Sequence, residues 1–239
     1  MHFCELTETL SQDRVVYNFV NSYDNRDGGA YIMDKLVIFG ATGGVGQHAV
    51  RQALAEEYDV VAFVRSREKL TIDDEHLTII EGDAFDREAV ANAIEGADMV
   101  VSTLGTPKDS DIDNPISVMV QHIVEGMLKH GVKRIVYTAS AGVDGEIQGE
   151  RGQQVMNYLK PYLIDHKKSI DAIQAAGLTY TIIRPMGLTN DEPKRRYALS
   201  YDDVPEAAQS ISRDDVANAV IMAIPNANFM GQSIAVFNI

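Results

Sequence analysis

From Lys35 onward the chain alternates short, continuous apolar runs with segments of helical periodicity, and this alternation restricts the fold more than any other feature. The apolar runs lie at 35–39, 59–64, 77–80, 98–103, 133–138 and 178–183, each bounded by turn residues. A half-exposed strand would alternate apolar with polar, so unbroken runs predict strands buried on both faces of a parallel sheet. Helical patterns fall between them at 45–56, 86–95, 115–130 and roughly 152–176, and a last helix at 213–224 precedes an apolar strand at 233–237. Asp86 stands as a cap before the apolar spacing of Ala89, Val90, Ala93 and Ile94, and Gly131 and Gly177 follow their helices as helix-ending glycines. This order predicts an α/β fold, a Rossmann-type doubly wound parallel sheet in a single domain spanning residues 33–239.

Residues 1–32 read differently. Their hydrophobicity is patchy and they end in the loop-like cluster Asn25-Arg26-Asp27-Gly28-Gly29. The sequence predicts a non-domain extension there, with Met33 as the alternative start; a helix over 5–20 docking on the body is the other reading. Intact-mass measurement of protein expressed from its native gene separates them.

Composition narrows the function classes. Twenty-one Lys and Arg against 35 Asp and Glu leave a net charge of −14, which opposes a phosphate backbone as main partner. Cys4 is the single cysteine, so no intramolecular disulfide forms, and no metal centre is expected. No apolar run approaches the roughly 20 residues that span a bilayer, and the first twenty residues lack the apolar stretch of a secretory signal. A cytoplasmic protein with neither a nucleic-acid nor a membrane partner is predicted.

In a doubly wound sheet, ligands bind outside the carboxyl ends of the strands, so the residues just after each apolar run carry the information. The first run leads into Gly40-Ala41-Thr42-Gly43-Gly44-Val45-Gly46 and then a helix. Such a turn lets backbone approach a pyrophosphate closely and presents the free N–H groups of a helix start. Gly40, Thr42, Gly43, Gly44, Val45 and Gly46 are therefore candidate dinucleotide ligands. After the second run, where an acid would hold the ribose of NAD, stand Arg65 and Arg67, with Lys69 following. Arg65 suits the 2′-phosphate of NADP(H), whereas Arg67 and Lys69 also fit a solvated basic turn. Asp83 after the third run either meets the adenine amino group or caps a turn. Leu104 and Gly105, after the fourth, either run beside the ribose and nicotinamide or form a plain turn.

Together these segments, with Arg134-Ile-Val-Tyr-Thr-Ala-Ser140 and Gly177-Leu-Thr-Tyr-Thr-Ile-Ile-Arg-Pro185, resemble the atypical short-chain dehydrogenases/reductases. Within them the chain is similar to the NAD(P)H-binding group of biliverdin-IXβ reductase/flavin reductase and the NmrA-like regulators. The likeness covers Lys35 to Ile239. It implies that Ser140 matches the serine that polarises a substrate carbonyl, and that the Tyr-x-x-x-Lys pair falls on Tyr162 and His166. Histidine thus replaces the lysine, and Asp165-His166 matches the flavin-reductase branch. His166 either orients substrate or donates a proton near neutral pH, or is a surface helix residue with no role. Tyr162 is catalytic or belongs to a packing stripe with Leu159 and Leu163, and Arg184 either contacts substrate or, as the favoured reading, forms a structural ion pair. Residues 187–205 read as a flexible flap over an open cleft.

The resemblance implies an NADPH-dependent oxidoreductase passing hydride to a flavin, a quinone or a similar planar conjugated acceptor. The alternative is a non-catalytic NADP(H)-sensing regulator of the NmrA-like type. A sugar-nucleotide epimerase fits less well, since the lysine and a larger C-terminal lobe are missing.

Overall fold

Buried β-branched runs become strands here because each finds a parallel neighbour and a helix on either side. A computed structural model describes residues 34–107 and 111–239, together with the backbone of 5–11 and 14–20. Cys4, the 25–29 cluster and Met33 lie outside the described residues. In chain order the elements are β1 (Glu5–Ser11), β2 (Arg14–Val20), β3 (Lys35–Phe39), α1 (Gly44–Ala55), β4 (Asp59–Val64), β5 (Leu77–Glu81), α2 (Arg87–Ile94), β6 (Met99–Ser102) and α3 (Pro115–His130). Then follow β7 (Arg134–Thr138), α4 (Gly149–Ala175), β8 (Thr179–Pro185), β9 (Leu188–Thr189), β10 (Arg196–Ser200), β11 (Ile211–Ser212), α5 (Arg213–Ala223) and β12 (Gln232–Phe237).

Seven strands run parallel in the order β5-β4-β3-β6-β7-β8-β12, and β10 and then β2 and β1 add to one edge antiparallel. The strand order reverses between β3 and β6, which is where this architecture opens its ligand crevice. The register aligns the strand ends in one row, with Phe63 beside Phe39, Phe39 beside Ser102, and Ser102 beside Tyr137. Gly40, Arg65 and Thr103 therefore emerge close together.

Two apolar layers hold the sheet. One packs Val45, Ala49, Val50 and Ala53 of α1 with Val216, Ala217 and Val220 of α5; the other packs α2, α3 and α4 on the opposite face. The fully buried Phe39 meets Phe63 with ring centroids 5.1 Å apart. Arg134, buried at the start of β7, donates to the Ala223 and Ile224 carbonyls and so closes the C-terminus of α5. Burial lowers that guanidinium to about 10, still charged at neutral pH. Among the described residues no helix is long and apolar enough to cross a membrane.

Two expectations need revision. Residues 187–205 are not a free flap: β9 pairs with β11, and β10 joins the main sheet against β12. The backbone N–H groups of Lys194 and Arg195 also donate to the fully buried Asp215 at 2.9 and 3.0 Å, so the polar segment is tied down at both ends. Residues 5–11 and 14–20 form the antiparallel strands β1 and β2 rather than a helix, consistent with the run of β-formers Val15, Val16, Tyr17, Phe19 and Val20.

Candidate functional site

The glycine turn forms because only glycine fits two of its positions. Gly40 has φ +79°, and a Cβ there would lie 2.8 Å from the Thr103 carbonyl. Gly46 faces back on the turn, and a Cβ there would lie 2.1 Å from the Gly40 carbonyl oxygen. The turn closes through Gly43 N–H to the Gly40 carbonyl at 2.9 Å, and the Gln47 amide donates to the Thr42 carbonyl at 3.1 Å. Thr103 N–H and Oγ1 both bond back to the Phe39 carbonyl, at 2.9 and 3.1 Å, which clamps β6 against the turn. The helix start that results is bare: Gly43 supplies no side-chain cap, and the first turn of α1 holds no acid. Thr42, Gly43 and Gly44 line the rim while Val45 and Gly46 are buried beneath them. Free N–H donors at an uncovered helix start, in a cradle that a single Cβ would fill, fit the diphosphate of a dinucleotide.

The neighbouring strand ends agree in part. Arg65 is exposed at the end of β4 and, among the described residues, has no carboxylate partner within ion-pair distance. Asp83 caps a turn, accepting from Phe85 N–H at 3.0 Å, yet stays exposed with its other oxygen free of that bond. A Cβ on Gly105 would meet nothing within 4 Å, so the turn itself does not require glycine there; Leu104 is half-buried beside it.

The three candidate catalytic residues have unlike surroundings. Ser140 is half-buried and its hydroxyl donates to the Ala141 carbonyl at 3.1 Å, beside the end of β8. Tyr162 points outward and is 48% exposed, lining an open groove with Asn114, Pro115 and Lys160; the stripe expected with Leu163 leaves it out. His166 is buried, and its Nδ1 lies in hydrogen-bond contact with the hydroxyl of the fully buried Tyr137 at 2.6 Å. Burial lowers the imidazole to about 4, with the Asp165 charge opposing, and burial raises Tyr137. His166 is therefore a core residue paired with Tyr137 and not a surface helix residue, and burial disfavours its charged form. Its neighbour Asp165 is buried too, and its carboxylate accepts from Ile116 N–H at 2.9 Å and Ser117 N–H at 2.8 Å. It caps α3 from across the interface. Lys167 is held at the surface by Asp144 and Asp171.

A family model of NAD(P)H-binding proteins matches residues 40–227. The chain belongs to this NAD(P)H-binding family. An uncharacterised chloroplastic protein of Arabidopsis thaliana is 30% identical over 80% of the chain and 71% of its own length. A Bacillus subtilis protein named an uncharacterised sugar epimerase is 29% identical over 81% of the chain and 89% of its own length. Among solved structures, an anaerobillin reductase from Escherichia coli O157:H7 shares the fold with a TM-score of 0.70 and 24% identity, over 84% of this chain and 96% of that one.

Within this NAD(P)H-binding protein a second cavity, of about 380 Å³, opens beyond the ends of β7 and β8. Ile147, Val155, Met186 and Pro205 give it apolar walls, and Arg151 and Glu206 stand at its edge. Just before Ile147 in the chain, Glu146 forms a buried ion pair with Arg184, and its carboxylate also accepts from Gly142 and Asp144 N–H at 3.0 Å. Arg184 is thus the structural ion pair expected of it. The residues of this cavity come from 147–155, 186–187 and 205–210, which no local motif connects. Nor does any motif connect Gly44 with Arg213, whose side chain lies across it.

Proposed function

We propose that the chain is an NADPH-dependent reductase that passes hydride to a flavin, a quinone or a related planar conjugated acceptor. Gly40–Gly46 would hold the diphosphate, Arg65 the 2′-phosphate, and Leu104–Gly105 the backbone side of the ribose. Bound NADPH supplies the hydride, and the acceptor, reduced by two electrons, takes its second proton from water. The apolar cavity beside Met186 suits a flat acceptor, with Ser140 at the adjoining strand end as a hydroxyl able to orient a carbonyl of the ring.

The observation that carries this reading is the state of His166. An imidazole buried against Tyr137, where burial disfavours its charged form, does not replace the fixed ammonium of a Tyr-Lys pair. Tyr162 is turned outward into the open groove. Acceptors whose reduced form is protonated by water need neither group, because the cofactor carries the redox chemistry. The same surroundings count against a sugar epimerase, which would need a tyrosine base at the substrate.

The test pairs two measurements on one sample. NADPH is titrated by calorimetry, and the loss of nicotinamide absorbance is then followed with FMN, FAD and several quinones. Binding with acceptor-dependent oxidation supports the reductase. Binding without turnover across the panel overturns it in favour of a cofactor-sensing regulator, which the missing lysine favours equally.

A further inference from the structure

Arg213 opens α5, but its side chain leaves that helix and crosses to the glycine turn. Its Cδ and Nε lie 2.5 and 2.7 Å from where a Cβ on Gly44 would stand. Gly44 thus lacks a side chain because an arginine stem occupies the space, a different reason from that of Gly46. The guanidinium donates to the Asn190 side-chain oxygen at 2.7 Å and, among the described residues, has no carboxylate within ion-pair distance. The two acids that follow it are taken. Asp214 accepts from Gln52 and pairs with His48 and Arg195, and Asp215 accepts from Ser212 Oγ and from the N–H groups of Lys194 and Arg195. A chain of net charge −14 therefore holds an uncompensated cation, on one neutral anchor, directly over its uncapped helix start.

We propose that Arg213 is a diphosphate ligand, closing the dinucleotide site from the α5 side while the α1 N–H groups bind from below. The inference rests on the NAD(P)H-binding assignment. A planar guanidinium presents paired donors to phosphate oxygens, and the Asn190 contact holds the fork over the rim before the cofactor arrives.

Calorimetry with three ligands tests it: NADPH, NADH and 2′-AMP, the last carrying adenine and a 2′-phosphate but no diphosphate. Arg213→Ala is expected to weaken NADPH and NADH by the same factor, about tenfold or more, and 2′-AMP by less than about twofold. Arg213→Lys is expected to recover part of the loss for both dinucleotides. Equal weakening of 2′-AMP and NADPH, or no change in either dinucleotide, would overturn the assignment. Should Arg213→Ala fail to fold, Arg213→Gln keeps the stem over Gly44 and removes the charge, and the same comparison decides. Wild-type protein that binds neither dinucleotide would overturn the cofactor assignment itself; wild-type binding with Arg213 silent overturns only this inference.

Discussion

The N-termini of α1 and α3 lie on opposite faces of one sheet, and the chain treats them in opposite ways. Both leave backbone N–H groups without intrahelical partners, as every helix start does. At α3, Pro115 removes one donor and the buried Asp165, reaching over from α4, accepts from the next two. Asp86 does the same locally for α2, and Ser212 for α5 with Asp214 and Asp215 in its first turn. At α1 nothing of the kind is supplied, and an arginine lies over the opening instead. The positive end of α3 is satisfied by the protein, and that of α1 is left for an anionic ligand. The start of α4 also lacks a side-chain cap but carries Glu150 in its first turn, so among the described helices α1 has neither a cap nor an acid.

The strongest way to break the contrast is Gly46→Ala. A methyl group 2.1 Å from a backbone oxygen has no flexible neighbour to displace, so the turn must open. We expect a stability loss of about 3 kcal/mol in urea unfolding and loss of measurable NADPH binding. Unchanged affinity would show that the turn does not hold the diphosphate. Asp165→Ala should break the other side of the comparison. It strands two buried N–H groups, costing about 2–3 kcal/mol, with Asp165→Asn costing less and NADPH affinity changing by less than about twofold. A large affinity loss with little destabilisation would mean that Asp165 acts at the cofactor site and not as a cap.

The pH dependence of stability tests the core beside that cap. His166 is held at about 4 in the folded protein against 6.5 for the free side chain, so the unfolded chain binds the extra proton first. Stability is therefore full above pH 6.5 and falls as the pH drops toward 4. From pH 6.5 to about pH 5 the loss is about 2 kcal/mol. His166→Gln keeps a hydrogen-bond partner for the Tyr137 hydroxyl and should flatten this acid limb. Identical limbs in the two proteins would mean that His166 is charged or exposed.

What could be read from the residues follows the same division between local and distant causes. The parallel strands were legible because each apolar run is short, continuous and bounded by turn residues, although two-sided burial fails for β5, an edge strand with no buried residue; the glycine turn was legible because its residues are consecutive. β10 was not: only Tyr197, Ala198 and Leu199 are buried within a polar stretch, and its place was decided by β12, more than thirty residues on. The burial of Asp165 and His166, as cap and core partner, depends on Ile116, Ser117 and Tyr137, which adjacency in sequence does not reveal. Arg213 carried no signal of its own beyond a glycine at position 44 that the turn's own backbone does not require.

Arg65 gives the smallest expected effect and the finest resolution. It is exposed, so its charge is screened by salt and its worth to an unliganded protein is slight. Its contribution comes only when a second anion arrives at the end of β4, a place the diphosphate does not reach. Arg65→Ala should weaken NADPH by about tenfold, leave NADH within about twofold, and lose that difference at high salt. Arg213→Ala should weaken both dinucleotides alike, so the two variants divide the anion site into a part common to all dinucleotides and a part that selects among them. Equal losses in Arg65→Ala would remove the 2′-phosphate from β4 and leave cofactor choice to Arg67 or Lys69, both exposed on the turn that follows.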